Sequence, residues 1–307
     1  MTSPRSLSET LRSRLDNVGL DADEVVMIVQ RALDEDMTTR GDVTSDSCIQ
    51  PSQRSRATFV SRGSGRLAGI HVMTAVVEMT CDASESLLEI LIDDGGVLNP
   101  GSVIATIEAP TRSLLLAERT ALNLLCHLSG IASATAEWVS AVAGTNAVIR
   151  DTRKTTPGLR MVEKYAVRCG GGMNHRMNLS DAVLVKDNHV AAAGGIVGAF
   201  TLVRGRVKDL PIEIEVDSLD QLTEAISAGV DLILLDNFTI DQMKSAVELR
   251  RVHQASFGRP VLLEASGGLT LENARAIATT GVDYLAVGSL THSSPSLDIG
   301  LDFKGPR

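Results

Sequence analysis

The sequence predicts an α/β protein in which a (β/α) barrel follows a smaller amino-terminal α/β domain. Beyond residue 131, helical stretches alternate with six short runs of mainly aliphatic residues, at 147–150, 182–185, 212–216, 232–235, 261–264 and 284–287. Repeated βα units of this kind close into a barrel or form an open wound sheet. Aromatic residues make up only 3% of a chain that is 44% hydrophobic. The core is therefore aliphatic, as in parallel α/β barrels.

The ends of the six runs favour the barrel over the wound sheet. Nearly every run finishes in polar or small residues suited to a ligand: Asp151, Lys186, Glu215 with Asp217, Asp236 with Asn237, Glu264 with Ser266, and Gly288 with Ser289. In a barrel the carboxyl ends of all strands share one face, so these residues converge. A wound sheet would use only those beside one crevice. A Gly-x-Gly-x-x-Gly turn follows none of the runs, which argues against a dinucleotide-binding fold.

The first third of the chain predicts the smaller domain. An amphipathic helix is expected over 21–33, strands at 56–61, 65–69 and 87–96, and a helix over 70–79. Residues 94–108 are similar to the sandwich of lipoyl and biotinyl carriers. The chain has no Lys between Arg54 and Lys154, so this domain carries no modifiable swinging arm.

An apolar helix predicted over 114–128 carries a polar stripe of Glu118, Arg119, Asn123 and His127. The stripe is either a solvated face or an edge from which Arg119 points into a site. Ser129-Gly130 predicts the end of this helix, and the domain boundary is placed there. The predicted division is an amino-terminal α/β sandwich domain over 1–129, a barrel over 130–290, and a segment over 291–307 that returns to the first domain.

The stretch from residue 150 to 176 has an unusual local charge. It contains seven basic residues and only two acidic ones, Asp151 and Glu163, in a chain of net charge -9. The basic residues are Arg150, Arg153, Lys154, Arg160, Lys164, Arg168 and Arg176. One interpretation is a solvated helix face with i,i+4 pairs. The other is a focused positive field that holds a small, multiply anionic ligand, and the position of Arg153 and Lys154 just after a strand favours it. Nucleic acid is not the expected partner of so acidic a chain.

The cysteines and the apolar segments bear on location. Cys48, Cys81, Cys126 and Cys169 are far apart in the sequence and read as reduced thiols of a cytoplasmic protein. Cys169, within the basic stretch, is interpreted as an apolar filler rather than a nucleophile. No secretory signal and no apolar run of about 18 residues occurs, so no membrane partner is expected.

Several long motifs of the chain resemble one family. Residues 118–125 (ERTALNLL), 151–160 (DTRKTTPGLR), 163–167 (EKYAV), 170–176 (GGGMNHR) and 184–189 (LVKDNH) are, in this order and spacing, similar to quinolinate phosphoribosyltransferase. The resemblance runs from about residue 32 to residue 303. It implies an incomplete TIM-like (β/α) barrel with fewer than eight strands, packed on the amino-terminal domain.

The resemblance also implies an activity. Phosphoribosyl would pass from phosphoribosyl pyrophosphate (PRPP) to quinolinate with loss of carbon dioxide, giving nicotinate mononucleotide and pyrophosphate for NAD biosynthesis. It implies Mg²⁺ as cofactor and a homo-oligomer in which Arg119 comes from the adjacent subunit.

The candidate site residues follow from the strand ends and from the family motifs. Lys154, Lys186, Glu215 and Asp236 are the candidate catalytic residues, and Glu215 with Asp236 are the candidate metal ligands, partly through PRPP and water. The candidate substrate-binding set is Arg119, Thr152, Arg153, Lys154, His175, Arg176, Lys186, Glu215, Asp236, Ser266, Gly267, Gly268, Val287, Gly288 and Ser289. The glycine turns after the last two strands are where barrels place a phosphate.

Two other functions remain open on the sequence. A barrel aldolase would use Lys186 as a Schiff base, although it would leave the arginines and acids without a role. A catalytically silent anion-binding protein is the other, and it is disfavoured because the whole reactive set is present.

Overall fold

The structure, a computed structural model, describes residues 6–37 and 39–306. It divides into two compact units. The first takes in the described residues up to Ala136, Thr155–Gly171 and those from Thr291 onward, and the second takes in Glu137–Lys154 and Gly172–Leu290. The division predicted at residues 129 and 290 stays a prediction. Residues 1–5, 38 and 307, which that division includes, lie outside the described residues.

In chain order the helices are α1 (Glu9–Asn17), α2 (Ala22–Asp36), α3 (Val43–Cys48), α4 (Ile70–Thr80), α5 (Thr111–Ala141), α6 (Arg160–Cys169), α7 (Asp187–Ala192), α8 (Ile196–Arg206), α9 (Leu219–Ala228), α10 (Ile240–Phe257), α11 (Leu271–Ala278) and α12 (Ser289–His292). The strands are β1 (Arg54–Ser61), β2 (Gly65–Arg66), β3 (Leu87–Ile90), β4 (Val97–Leu98), β5 (Val103–Pro110), β6 (Val148–Arg150), β7 (Val183–Val185), β8 (Ile212–Val216), β9 (Leu232–Asp236), β10 (Leu262–Ser266), β11 (Tyr284–Ala286) and β12 (Ile299–Pro306).

The first unit is built on a four-stranded antiparallel sheet with the order β12-β1-β5-β3. The predicted amphipathic helix is present as α2. Its N-cap is Asp21, whose carboxylate accepts the backbone N–H groups of Asp23 and Glu24, and its buried stripe includes Val25 and Val29. The expected α/β sandwich of the first domain is therefore confirmed.

The second unit holds a six-stranded sheet with the order β6-β11-β10-β9-β8-β7, in which each neighbouring pair is parallel. All six predicted runs form these strands. β6 and β7 stand at the two ends of the order, so the sheet is short of the eight strands of a complete barrel. The predicted incomplete (β/α) barrel is confirmed.

Side chains from alternate strands meet inside this sheet. Arg150 at the end of β6 contacts Glu264 of β10, and the ring of His175 contacts both Glu264 and Glu213 of β8. These strands are the first, third and fifth in the sheet order. A barrel interior is filled in this way, by layers drawn from every second strand. The sheet is therefore curved around this layer.

One predicted helix end is wrong. The helix predicted to end at Ser129-Gly130 continues as α5 to Ala141. Gly130 has a packing role instead, because a Cβ there would overlap the carbonyl oxygen of Pro295. The hydroxyl of Ser129 bonds the backbone N–H and carbonyl of Ala68. Across the described ranges, the structure contains no helix that is both long and apolar enough to cross a membrane.

Candidate active site

The candidate site residues gather at the carboxyl ends of the parallel strands. Thr152, Arg153 and Lys154 follow β6, Lys186 follows β7, and Glu215 and Asp236 lie at the ends of β8 and β9. Ser266 ends β10 and is followed by Gly267 and Gly268, while Val287, Gly288 and Ser289 follow β11. His175 and Arg176 lie in the loop before β7. Among the candidate residues, only Arg119 belongs to the first unit.

The four candidate catalytic residues form one charged group. The ammonium nitrogen of Lys186 lies 3.0 Å from Oε2 of Glu215. Partial burial, and then the charge of Glu215, raise the pKa of Asp236, while Lys186 and Lys154 act in the opposite direction. Each of these residues is therefore within electrostatic reach of Asp236. Their catalytic role stays a prediction.

Glu215 and Asp236 suit a hard divalent cation. The charge of Glu215 raises the pKa of Asp236, and a cation held near both carboxylates would stabilise Asp236 in its charged form. Oxygen ligands of this kind, few in number, are typical of Mg²⁺ sites that are completed by water and substrate phosphate. The residues present therefore fit the predicted metal.

The second charged group consists of two guanidinium groups. Burial, and then the positive charge of Arg153, lower the pKa of Arg176, so the two side chains lie close enough to repel each other. Nη1 of Arg176 donates to the carbonyl of Ala182 at 3.2 Å. A pair of neighbouring cations in a half-buried position favours a ligand with more than one negative charge.

A layer of charged and polar side chains inside the sheet is formed by the buried His175, Glu213 and Glu264 and the largely buried Arg150. Arg150 pairs with Glu264 at 2.5 Å and stacks over the ring of Tyr284. Nε2 of His175 lies 2.8 Å from Oε2 of Glu213 and 3.4 Å from Oε1 of Glu264. Burial, and then the charge of Glu213, raise the pKa of Glu264 to about 7.

This layer includes the three residues His175, Glu213 and Glu264, whose ligand atoms lie within 4.8 Å of one another. A metal ion is not needed to explain them. The separation of 2.8 Å is that of a hydrogen bond, and Arg150 already supplies a positive charge to Glu264. The layer is therefore a hydrogen-bonded support for the loop that carries Arg176.

The glycine turn after β10 has a steric requirement. Gly267 and Gly268 have φ angles of +84° and +61°, and a Cβ on Gly267 would overlap Oδ1 of Asn237. Asn237 also has a positive φ, and its backbone N–H donates to the carbonyl of Ser266. The backbone after β9 and the backbone after β10 therefore approach each other closely, as predicted phosphate-binding turns require.

Arg119 lies on α5 with an exposed side chain, as does Asn123, and Glu118 and His127 of the same stripe are partly exposed. Nε2 of His127 lies 2.8 Å from Oε1 of the buried Glu163. The amino-terminal half of the helix therefore presents Arg119 to its surroundings. A role of Arg119 in substrate binding stays a prediction.

Sequence reasoning missed two residues of the supporting layer and its neighbourhood. The first is Glu213, which is buried within β8, the strand from which only Glu215 was predicted as a site residue. Their spacing of two placed both on one face of the strand, which is the signal that was available. Asp151 was noted as a strand end only, yet it is buried and accepts the backbone N–H of His175 at 2.8 Å and Nδ2 of Asn174 at 2.5 Å.

The surroundings of Cys169 agree with its interpretation as an apolar filler. Burial, and then the charge of Asp94, raise the pKa of its thiol to about 12. The thiol is therefore protonated near neutral pH, and protonated thiols are poor nucleophiles.

Comparison with known proteins covers nearly the whole chain. Residues 42–129 match the family described as quinolinate phosphoribosyl transferase, N-terminal domain, and residues 131–302 match its C-terminal domain. A carboxylating nicotinate-nucleotide pyrophosphorylase of Mycobacterium leprae is 49% identical over 274 residues, which are 89% of this chain and 95% of the relative.

Solved structures agree with the sequence matches. The nicotinate-nucleotide pyrophosphorylase of Ehrlichia chaffeensis is 40% identical with a TM-score of 0.84, and the match covers 91% of this chain and 98% of the other. That of Francisella tularensis is 33% identical with a TM-score of 0.86, over 99% of this chain and the whole of the other. The resemblance carried by the motifs is confirmed, and the chain belongs to the quinolinate phosphoribosyl transferase family.

Proposed function

We propose that this protein transfers phosphoribosyl from PRPP to quinolinate with decarboxylation, giving nicotinate mononucleotide, pyrophosphate and carbon dioxide. The enzyme is a phosphoribosyltransferase of NAD biosynthesis. The observation that carries the proposal is the pairing of two charged groups at one end of the barrel. Arg153 and Arg176 form one group, and Lys154, Lys186, Glu215 and Asp236 form the other.

The guanidinium pair binds the acceptor. Quinolinate carries two carboxylates, and guanidinium groups bind carboxylates through two parallel hydrogen bonds. Arg153 and Arg176 supply the charge, and His175 lies beside Arg176 in the same loop. Thr152 precedes Arg153 at the end of β6 and completes this side of the site.

The second group acts on PRPP. The ammonium groups of Lys154 and Lys186 stabilise the departing pyrophosphate, and the carboxylates of Glu215 and Asp236 stabilise positive charge that develops on the ribose. Mg²⁺, which Glu215 and Asp236 would hold, supplies further positive charge to the pyrophosphate when bound. The turns formed by Ser266, Gly267, Gly268, Val287, Gly288 and Ser289 hold the 5-phosphate of the sugar.

The chemistry proceeds in two steps. The pyridine nitrogen of quinolinate attacks C1 of the ribose, and the bond from C1 to the pyrophosphate oxygen breaks. The ring is now cationic at nitrogen, so the bond between C2 and its carboxylate breaks with the electron pair retained at C2. C2 then takes up a proton, and carbon dioxide leaves. The protein contributes orientation and charge rather than a base.

The first prediction is the stoichiometry of this reaction. With quinolinate, PRPP and Mg²⁺, and without ATP, the enzyme should release one carbon dioxide for each pyrophosphate. The measurement couples a pyrophosphate assay to the capture of label from quinolinate labelled in its 2-carboxylate. Pyrophosphate release without labelled carbon dioxide would move the protein to a non-decarboxylating phosphoribosyltransferase.

We also propose a homo-oligomer in which Arg119 enters the site of the adjacent subunit, and a cytoplasmic location. The support for the first part is that Arg119 is exposed on α5 of the first unit. An arginine that serves a site in another subunit must be accessible on its own chain, and it must meet a carboxylate only after assembly.

The second prediction tests Arg119 by subunit mixing. Arg119→Ala and Lys186→Ala chains should each be inactive, and a mixture taken through dissociation and reassembly should regain activity. In a dimer the recovery should reach about a quarter of the wild-type value, since half of the dimers are mixed and each has one intact site. No recovery after verified exchange, measured by mass spectrometry of tagged chains, would place Arg119 in the site of its own chain.

A further inference from the structure

We propose that Glu213 is a positioning residue of the carboxylate side of the site. Glu213 holds the imidazole of His175 with its proton on Nε2, and the ring in turn holds the backbone N–H of Arg176. The consequence for substrate rests on the proposed function, because Arg176 is one of the two guanidinium groups assigned to quinolinate. The tautomer itself does not depend on that function.

The hydrogen bonds of the ring fix its protonation. The backbone N–H of Arg176 lies 2.7 Å from Nδ1 of His175, and a backbone amide is only a donor. Nδ1 is therefore an acceptor and carries no proton. The imidazole proton then resides on Nε2, which lies 2.8 Å from Oε2 of Glu213, a carboxylate oxygen that accepts it. Both nitrogens are engaged within the protein, so the ring is neutral in this arrangement.

The same bonds clamp the loop that carries Arg176. Asp151 accepts the backbone N–H of His175 and the side-chain amide of Asn174, and His175 accepts the backbone N–H of Arg176. Three consecutive residues are thus tied to the end of β6 or to the buried ring. A guanidinium group that starts from a fixed backbone loses less freedom when it binds a carboxylate.

His175 and Glu213 are both buried, and burial of the Glu213 carboxylate destabilises the fold unless a contact compensates for it. His175 is 8% exposed and Glu213 is 3% exposed. Oε1 of Glu213 is buried and makes no hydrogen bond within the described part of the chain. A buried carboxylate with an unsatisfied oxygen destabilises a fold unless its other contacts compensate. The contact of Glu213 that the geometry shows is the one to His175.

Glu264 has a different task in the same layer. Its Oε2 is held by Arg150 at 2.5 Å, and its Oε1 is 3.4 Å from Nε2 of His175, beyond the usual length of a strong hydrogen bond. Glu213, rather than Glu264, is therefore the acceptor that selects the tautomer. Glu264, which is paired with Arg150, lies beside the ring without setting its tautomer.

Kinetics of two Glu213 variants test the positioning role. Glu213→Leu removes the acceptor and should raise the KM for quinolinate at least about 10-fold, which corresponds to roughly 1.4 kcal/mol. The KM for PRPP should change less than about twofold, since the other charged group is untouched. Glu213→Gln keeps a carbonyl oxygen for Nε2–H and should stay within about threefold of wild type. A Glu213→Leu enzyme with an unchanged KM for quinolinate would overturn the proposal.

Asp283→Asn provides a matched control. Asp283 is a partly buried carboxylate of the same unit that pairs with Arg250 at 2.5 Å and accepts the backbone N–H of Leu263, but it precedes β11 and so lies at the opposite end of the strands. Its replacement should lower thermal stability and leave both KM values unchanged. A KM effect equal to that of Glu213→Leu would show that any loss of a buried charge loosens the site.

Nuclear magnetic resonance of the wild-type enzyme tests the tautomer directly, and it remains decisive where Glu213→Leu fails to fold. The protein is labelled with ¹⁵N in its six histidines, and the resonances of His175 are identified by their absence in His175→Asn. Nε2 should show an attached proton and Nδ1 should not. A ring protonated on Nδ1, or on both nitrogens, would refute the assignment. If the tautomer is as stated but quinolinate is not a substrate, the proposed function fails and the ring assignment stands.

Discussion

Replacing Lys186 with alanine should lower kcat by roughly 10²- to 10³-fold, the range found when one preorganised donor to a developing charge is removed. The ammonium nitrogen lies 3.0 Å from Glu215 and acts on Asp236, so this exposed side chain is directed at the acids of the strand ends. Because its proposed contact is with the leaving pyrophosphate, the loss should fall on kcat. The KM for quinolinate should stay within about twofold. Steady-state measurement of pyrophosphate release gives both constants.

Lys208→Ala is the control for this variant. Lys208 is an exposed lysine of the same unit whose ammonium group donates to the carbonyl of Arg204 at 2.7 Å. Its removal takes away the same charge from the surface and should leave kcat unchanged. An equal loss in both variants would mean that net charge, not the position of Lys186, controls turnover. An active Lys186→Ala enzyme would remove Lys186 from the catalytic set.

The strands of the barrel could be predicted because their signal is local. Runs such as 212–216 and 232–235 are short, mainly aliphatic and followed directly by an acid, Asp217 or Asp236, and each run lies in a strand of the parallel sheet. A parallel strand is buried on both faces, so it stands out against the amphipathic helices around it. The polar residue that ends each run is then placed by topology alone, because all parallel strands end on one face.

Long-range packing explains the predictions that failed. Gly130 reads as a helix end, yet α5 passes through it because the chain near Pro295 needs the space that a Cβ would fill. The alternative interpretation of the basic stretch, a solvated i,i+4 face, does not hold for Glu163 and Lys164, because both are fully buried. In each case the contacting residue is more than 30 positions away in the sequence, or the burial depends on the packing of the whole unit. A local sequence pattern shows neither the distant contact nor the burial.

The role of Glu213 in the supporting layer could not be predicted from the sequence for a related reason. A strand-end acid is recognisable, whereas Glu213 lies in mid-strand and its use depends on the ring of His175, which is 38 residues earlier. Sequence reasoning placed His175 in the substrate-binding set, and that role stays a prediction. The hydrogen bonds of both its nitrogens, from which we propose a neutral ring, are visible only in the coordinates.

Substrate choice follows from the guanidinium pair. Arg153 and Arg176 lie close enough for the charge of one to lower the pKa of the other. Two half-buried cations beside one carboxylate would leave a positive charge uncompensated, which costs several kcal/mol. Two carboxylates on one ring match two guanidinium groups. Quinolinate is therefore expected to be used at least about 100-fold more efficiently than nicotinate, the ratio that about 2.7 kcal/mol provides.

Arginine variants test whether the preference for quinolinate over nicotinate comes from the guanidinium pair. Arg153→Ala or Arg176→Ala should raise the KM for quinolinate by an amount equivalent to about 1.5 to 3 kcal/mol, the usual contribution of a charge-assisted hydrogen bond. The efficiency with nicotinate should fall much less, since one guanidinium group remains for its one carboxylate. Comparison of kcat/KM for the two acids should thus show a preference reduced about 10-fold or more. Arg206→Ala, which removes an exposed arginine of the same unit, should leave the ratio intact. If wild type turned over nicotinate as well as quinolinate, that would falsify the pairing of two guanidinium groups with two carboxylates.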